Sequence, residues 1–382
     1  MLDLATILAR TREVAEDICT PAADRVDADG VWPEEALRAL GTAGLMGLVI
    51  PPEYGGQGAG LVGLARVCEI LAQACTSTAL CFAMHSVGAA VLAARVGKDR
   101  ADKFLVPIAE GRHVTAISLS EPGVGADYFF PHCSLHREGG ELVIDGHKAM
   151  ITNGGRADSC VISAVSREQG SVGVFSCVLL PGQSNGMHWG SPWDGFGMRG
   201  NSARDLTLRG VRVGQDRLIG DEGDELWLLF HVIAPHVLVA LAATYLGAAQ
   251  SAFDTTSSYV RRRRRPDALH DLAQVPVVQH KLGTMWAALE RTRLLVRHAA
   301  LEGDRTGVAG PFQFAAKAEA GDAALAVCSE SMTLGGGSAY RLPSKVARLL
   351  RDIHAAPLMA PTTDMLRIWT GRALLGEPLL GD

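Results

Sequence analysis

The 382-residue chain has no excess of basic charge, few aromatic residues and no Cys-x-x-Cys pair. Each absence removes a class of function. A net charge of −5 offers no electropositive surface for a polyanion. Aromatic residues, at 5%, do not interleave with basic runs as a nucleic-acid reader needs. The eight cysteines, at 19, 68, 75, 81, 133, 160, 177 and 328, lack the paired spacing of a zinc site, so no metal is expected. Scattered thiols in a chain of this size read as free, buried cysteines of a reducing cytoplasm. The N-terminus carries Asp3, Glu13, Glu16 and Asp17 and no long apolar core, which argues against a signal peptide. There is no internal repeat and no low-complexity segment. One stretch, Leu226 to Gly247, contains no Asp, Glu, Lys or Arg and is long enough to cross a bilayer. Pro235, His231 and His236 interrupt it, so it is expected to be a helix buried in a bundle, with no membrane span.

What is present is an ordinary globular composition, 48% hydrophobic and 20% charged, arranged in three textures. Residues 1–112 show helical spacing, as in Leu4, Ile7, Leu8 and in Leu64, Val67, Cys68, Leu71. Trp32-Pro33-Glu34-Glu35 marks a helix start, and Pro51-Pro52 with Gly55-Gly56 marks a loop. Residues 113–223 alternate short β-prone runs with Gly, Asn and Asp, predicting five or more strands of an antiparallel sheet or barrel. Glu138-Gly-Gly-Glu141 and Asp145-Gly146 read as hairpin turns. Residues 224–382 return to helical periodicity. The expected class is α+β: a helical N-terminal domain, a middle β-barrel and a C-terminal four-helix bundle.

Two motifs in the β region suit ligand binding. In Ser118-Leu119-Ser120-Glu121-Pro122-Gly123-Val124-Gly125-Ala126-Asp127, a strand end with hydroxyls runs into a glycine turn whose N–H groups can meet a phosphate or a polar ring edge. The same pattern also suits a tight turn closing a hairpin. The second motif is Gly146-His147-Lys148-Ala149-Met150-Ile151-Thr152-Asn153-Gly154. Together with Ile50-Pro51-Pro52-Glu53-Tyr54-Gly55-Gly56, Gly197-Met198-Arg199-Gly200 and Arg351-Asp352, in this order, the chain resembles the acyl-CoA dehydrogenase superfamily from end to end.

The resemblance implies FAD between the middle and C-terminal domains, and a homodimer or homotetramer. It places the Leu119 N–H, Ser120 and Thr152 against the flavin ring and Gly125 and Ala126 at the pyrophosphate. Met150 stands where an aromatic usually covers the ring. Arg263, within the run Arg261 to Arg265, is placed at a neighbouring subunit's FAD phosphates. A solvated helix end is the plainer reading of that run. The usual glutamine contacts to the adenosine half align with Pro276 and Thr333, and the family's glycine loop reads Gly336-Gly337-Ser338-Ala339-Tyr340.

The family's catalytic glutamate, which takes the proton beside the thioester, aligns with Ala360. Its alternative location on the long helix aligns near Val237, beside His236. Removing that proton needs a base, and neither residue is one. Asp364, in the first turn of a helix expected to begin at Pro361-Thr362, and His236 are the candidate replacements, with His85 and His354 as further ones. Each also has a structural reading: a helix-start acid for Asp364, a hydrogen-bonded core histidine for the others.

The leading reading is an FAD-dependent oxidoreductase acting on an acyl thioester of CoA or carrier protein with a non-standard base. It passes its electrons to a separate acceptor or to oxygen. The alternatives are a flavin monooxygenase or oxidase, a base-independent elimination enzyme, and a non-catalytic flavin- or thioester-binding subunit.

Overall fold

The computed structural model describes residues 1–123, 131–166, 175–264 and 271–380. Helices α1 (Leu4–Val14) and α2 (Thr20–Asp29) are joined through a π turn at Ala15–Cys19. Helix α3 (Glu34–Thr42) begins directly after Pro33, where a missing N–H costs little. Helices α4 (Gly60–Ala74) and α5 (Thr76–Arg95) follow, then the short α6 (Lys98–Phe104) and α7 (Val106–Ala109). Helix α5 is buried on every side. Between Thr76 and Leu92 only Met84 escapes full burial.

The middle region contains β1 (Thr115–Ser118), β2 (Ser134–Glu138), β3 (Glu141–Ile151), β4 (Ser159–Ser166), β5 (Ser176–Pro181), β6 (Met187–Trp189), β7 (Arg204–Gly214) and β8 (Leu218–Ile219). Their order is β6-β7-β3-β2-β4-β5-β8, with β1 paired to β4. Pairing is antiparallel except where β4 meets β1 and β2 in parallel. That mixed pairing departs from the antiparallel sheet expected. Strand β4 uses its first half against β1 and its end against β2, which folds the sheet around the apolar cluster of Leu135, Ile144, Ile162, Val178 and Leu208.

The Gly139-Gly140 turn joins β2 to β3 with φ of +59° and +84°, as a two-residue hairpin requires. The other expected turn, Asp145-Gly146, is a bulge inside β3. Buried apolar positions continue through it, at Leu142, Ile144, Ala149 and Ile151, so the strand does not end there. Gly146 is required at this bulge. Its φ is +148°, and a Cβ would lie 2.4 Å from Cys133 Sγ.

The C-terminal region comprises α8 (Glu225–Leu228), a π turn at Leu229–Ile233, α9 (Ala234–Arg262), α10 (Pro276–Thr306), α11 (Pro311–Tyr340), α12 (Lys345–Ile353) and α13 (Thr363–Leu375). Three helices are long. The fourth element of the bundle is divided into α12 and α13 by the segment 354–362. Pro235 directly follows the π turn Leu229–Ile233, inside the helical run Leu226–Arg262.

Two helical stretches, Thr76–Arg95 and Leu226–Arg262, are apolar and long enough to span a bilayer. In each, most of the apolar window (83% and 67%) is buried inside the fold. The helical regions share one core. Helices α4 and α9 pack so closely at Gly247 that a Cβ there would lie 2.3 Å from the Glu69 carbonyl oxygen. Asp304 of α10 caps α4 by accepting from the N–H groups of Leu61 (2.7 Å) and Val62 (3.1 Å). All eight cysteines are buried and free.

Candidate active site

A cavity of about 870 Å³ lies where the three regions meet, within the size range of small-molecule sites. Its walls are the end of β1 through Gly123, residues Ala149–Thr152, the loop 193–203, the α9 face bearing Ile233, Val237 and Leu241, Leu80 and Met84 of α5, and the segment 354–362. The one incompletely buried residue in the central run of α5, Met84, is therefore a wall residue.

The backbone is strained around this space. Among the described residues, the non-glycine residues with positive φ are Met150, Asn153, Met198 and Ser202, between +48° and +64°. All four line the cavity or adjoin residues that do. Strain of this kind persists where surrounding structure fixes it, and it clusters at ligand sites. The fixing contacts are visible. Asn153 Nδ2 donates to the Cys81 carbonyl (2.9 Å), its Oδ1 accepts from Trp32 Nε1 (2.8 Å), and its N–H donates to the Asn201 carbonyl (3.0 Å). The Met150 N–H donates to Asp205 (3.0 Å), and the Met198 N–H donates to buried Asp352 (2.6 Å). Burial raises the Asp352 carboxyl to about 6.

The strand end is anchored by a buried ion pair. Lys148 Nζ lies 2.7 Å from Glu121 Oε1 and 2.8 Å from Ser163 Oγ. Glu121 also accepts from the N–H groups of His132 and Cys133 (2.6 and 3.1 Å). Burial pushes its carboxyl up, but Lys148 and these donors hold it below its ordinary value.

The positions that the resemblance assigns to the flavin ring converge. Leu119, Ser120, Met150 and Thr152 all line the cavity. The residues present fit the ring of FAD. Ser118 Oγ is buried at the wall with no partner among the described residues, and Met150 holds an apolar side chain 60% exposed against the space. An orphaned donor and an uncovered thioether suit an aromatic ring system with polar edges. Gly125 and Ala126 lie outside the described residues. Arg263 caps the end of α9 on the surface, away from the cavity lining. Thr333 is exposed on α11, and Pro276 is the first residue of α10. The glycine segment 336–340 is largely wound into the end of α11, broken by Gly336 at φ +54°.

The candidate bases separate. Ala360 and Val237, the two positions where a glutamate is expected, both line the cavity and present hydrocarbon. Asp364 lies in the first turn of α13, whose N-cap is Thr362, but is exposed and outside the lining. His236 lies off the lining face of α9, its Nδ1 2.7 Å from the Val232 carbonyl, and burial lowers its pKa. His85 is a core residue. Nδ1 accepts from the Thr115 N–H (3.1 Å), so Nε2 carries the hydrogen toward the Met46 carbonyl (3.0 Å), and burial lowers its pKa to about 4.

His354 does line the cavity. Its Nδ1 is 2.7 Å from the Leu350 carbonyl and its ring meets Phe196 edge-on at 5.7 Å. A carbonyl partner assigns the hydrogen to Nδ1 and leaves the Nε2 lone pair free. The other ionisable wall residues are engaged, Glu121 by Lys148 and Arg351 by Asp27 and the Phe196 carbonyl.

Sequence reasoning missed Lys317, whose Nζ donates to the carbonyls of Ala356, Met359 and Pro361 on the wall segment. A lysine inside an otherwise apolar helical face was the available signal.

Comparison with known proteins agrees with this geometry. The family descriptions "Acyl-CoA dehydrogenase, N-terminal domain", "middle domain" and "C-terminal domain" match residues 3–112, 116–211 and 238–375. The chain is 31% identical over 373 residues to cyclohex-1-ene-1-carbonyl-CoA dehydrogenase of Geobacter metallireducens, covering 96% of this chain and 97% of that protein. It is 29% identical to the probable acyl-CoA dehydrogenase YngJ of Bacillus subtilis, covering 95% and 97%. A structure from work on the electron transferring flavoprotein of Acidaminococcus fermentans superposes with a TM-score of 0.92 at 26% identity, covering 98% of each chain. With the domain order, the cavity where the three regions meet and this identity in agreement, the chain belongs to the acyl-CoA dehydrogenase family, FAD-dependent oxidoreductases of acyl-CoA thioesters.

Proposed function

We propose that this chain carries out α,β-redox chemistry on an acyl thioester with no carboxylate at the reacting centre, and that His354 takes the role of proton acceptor. The carrying observation is that both glutamate positions, Ala360 and Val237, line the cavity as hydrocarbon, while His354 is the ionisable wall side chain outside any ion pair. An imidazole with a free Nε2 can accept a proton. Bound FAD supplies the hydride acceptor. Leu119 N–H, Ser120 and Thr152 orient the ring edge, Met150 packs against it, and the apolar α5 and α9 faces exclude water from the acyl chain. Gly125, Ala126 and Arg263 serve the phosphates, Arg263 from a neighbouring copy.

Exposed Trp286, Leu294 and Leu301 along α10 support a homodimer or homotetramer. Eight free buried thiols support a reducing cytoplasm. Electrons leave to an electron-transferring flavoprotein.

The test is anaerobic mixing of the FAD-loaded protein with saturated acyl-CoA esters. Bleaching of the flavin that is slowed by His354→Gln supports the reading. Rapid bleaching unaffected by that change removes His354 from it. Oxygen consumption with incorporation into the product, and no anaerobic bleaching, moves the assignment to a monooxygenase.

A further inference from the structure

Lys317 of α11 is fully buried. Its ammonium has three N–H donors, and they meet three carbonyls of one segment: Ala356 and Met359 at 2.9 Å and Pro361 at 2.8 Å. The Tyr245 ring lies 6.0 Å away. No carboxylate is paired with it among the described residues. A buried ammonium is costly, and burial lowers the Lys317 pKa to about 7, so the three carbonyls are what its protonated form relies on. Their segment forms the cavity wall that carries Ala360.

The peptide plane adds a directional consequence. A trans peptide points its C=O and N–H to opposite sides. Where the Met359 carbonyl turns to Lys317, the Ala360 N–H turns away from it. The Pro361 carbonyl does the same for the Thr362 N–H. Both N–H groups have no partner among the described residues, and both residues line the cavity.

We infer that Lys317 is a positioning residue: it gathers the carbonyls of 356–361 behind the wall and so fixes the direction of the backbone N–H groups beside them. The inference rests on the acyl-thioester reading for the identity of the ligand, though not for the order of the wall. With hydrocarbon at positions 237 and 360, these N–H groups join the His354 ring and the Thr362 hydroxyl as the polar features of the 354–362 wall. The direction of these N–H groups depends on one side chain from another helix.

The test uses the FAD-loaded full chain and compares wild type, Lys317→Met and Lys317→Ala. Hydrogen exchange of 355–362, without ligand, reads the order of the wall. Octanoyl-CoA titration, followed by the perturbation of the flavin spectrum, reads ligand binding. Lys317→Met is expected to speed exchange in 355–362 while α9 and α10 keep their protection. It is also expected to weaken octanoyl-CoA by roughly 10-fold or more, the scale of losing a charge-assisted hydrogen bond. Propylammonium added to Lys317→Ala is expected to restore part of both.

Wild-type exchange and binding in Lys317→Met overturn the inference. So does a general rise in exchange across the bundle with no response to propylammonium, which reduces Lys317 to a stabilising contact. If the wild type holds FAD but shows no response to octanoyl-CoA, the acyl-thioester reading fails, and the exchange data still decide the role of Lys317.

Discussion

Ala360→Glu puts a carboxylate on a wall that is now hydrocarbon, without touching Leu119, Ser120 or Thr152. The expected ionisation follows from what lies behind the wall. Lys317 Nζ is bound to the carbonyls on either side of Ala360, at 2.9 and 2.8 Å. Burial lowers the Lys317 pKa to about 7, so its ammonium is partly populated at neutral pH; at about 6 Å and an effective dielectric of about 20, that ammonium and a new carboxylate favour each other by ~3 kcal/mol. That is about two pKa units, enough to offset much of the rise that burial imposes. The new group is then ionised at neutral pH and able to accept a proton. General-base catalysis is worth roughly 10²–10⁴-fold, so anaerobic stopped-flow reduction of the flavin by a saturated acyl-CoA should accelerate by at least ~10²-fold. FAD content, read from absorbance, should stay constant. The reasoning is refuted if the wild type already reduces at ordinary enzymic rates and Ala360→Glu abolishes this with FAD still bound. That result means position 360 is needed as space and an efficient base already exists elsewhere.

His354→Gln should lower flavin reduction by about 10²-fold, whereas Asp364→Asn and His236→Gln, outside the lining, should change it little. Equal losses in all three would contradict the geometry. Lys148→Met strands the buried Glu121 carboxylate and should cost about 3–5 kcal/mol, seen as a lower denaturation midpoint. The double variant with Glu121→Gln should recover part of that loss, and a double variant as unstable as the single would rule out the ion pair as the cause. His85 titrates at about 4 in the fold against 6.5 when free. As pH falls, the unfolded chain takes the proton first, so stability is lost between pH 6.5 and 4, by at most ~3 kcal/mol. Asp352, raised to about 6, acts oppositely: its contribution is present below 3.8 and lost as pH rises through 6. Denaturant melts of wild type and His85→Gln across this range isolate the histidine in the pH dependence of their difference, which should level off above pH 7.

The sequence made the fold legible because its signals were local. Helical spacing, the Gly-Gly hairpin and the glycine-rich motifs each specify their own neighbourhood, and their order specified the family. That Leu119, Ser120, Met150 and Thr152 share the cavity was legible for the same reason, since they lie in two short motifs. Asp145-Gly146 misled because positive-φ glycine chemistry serves bulges as well as turns, and only the pairing partner, β7, decides between them. The candidate bases were illegible for a different reason. His236 neighbours Val237 in sequence, yet one residue along a helix is a rotation of about 100°, which takes its side chain off the cavity face. Asp364 is one turn from Ala360 in sequence, but the helix begins between them. Lys317 is far from the wall segment in sequence and touches it only after folding.

The missing carboxylate does not look like the decay of a site. Decay would strand the groups that once shaped it, and a buried ionisable side chain without partners costs several kcal/mol. Here Lys148 meets Glu121 and Ser163, Lys317 meets three carbonyls, and Asp352 meets the Met198 N–H. Each of these contacts braces a different wall of the same cavity: the β1 end, the 356–361 segment and the 193–203 loop. Four strained non-glycine residues are held around the same space. A cavity maintained by satisfied buried charges and stored strain is an ordered ligand site. At the cavity wall the departure from a carboxylate-bearing site lies in two lining side chains, Val237 and Ala360. On the proposed reading, the change at this wall is one of proton chemistry. It predicts that FAD and acyl-thioester affinity survive Val237→Ala and Ala360→Gly, while loss of Lys317, Lys148 or Asp352 does not leave them intact. Titrating both ligands into this set of variants decides it, and tight binding in the charge variants would refute it.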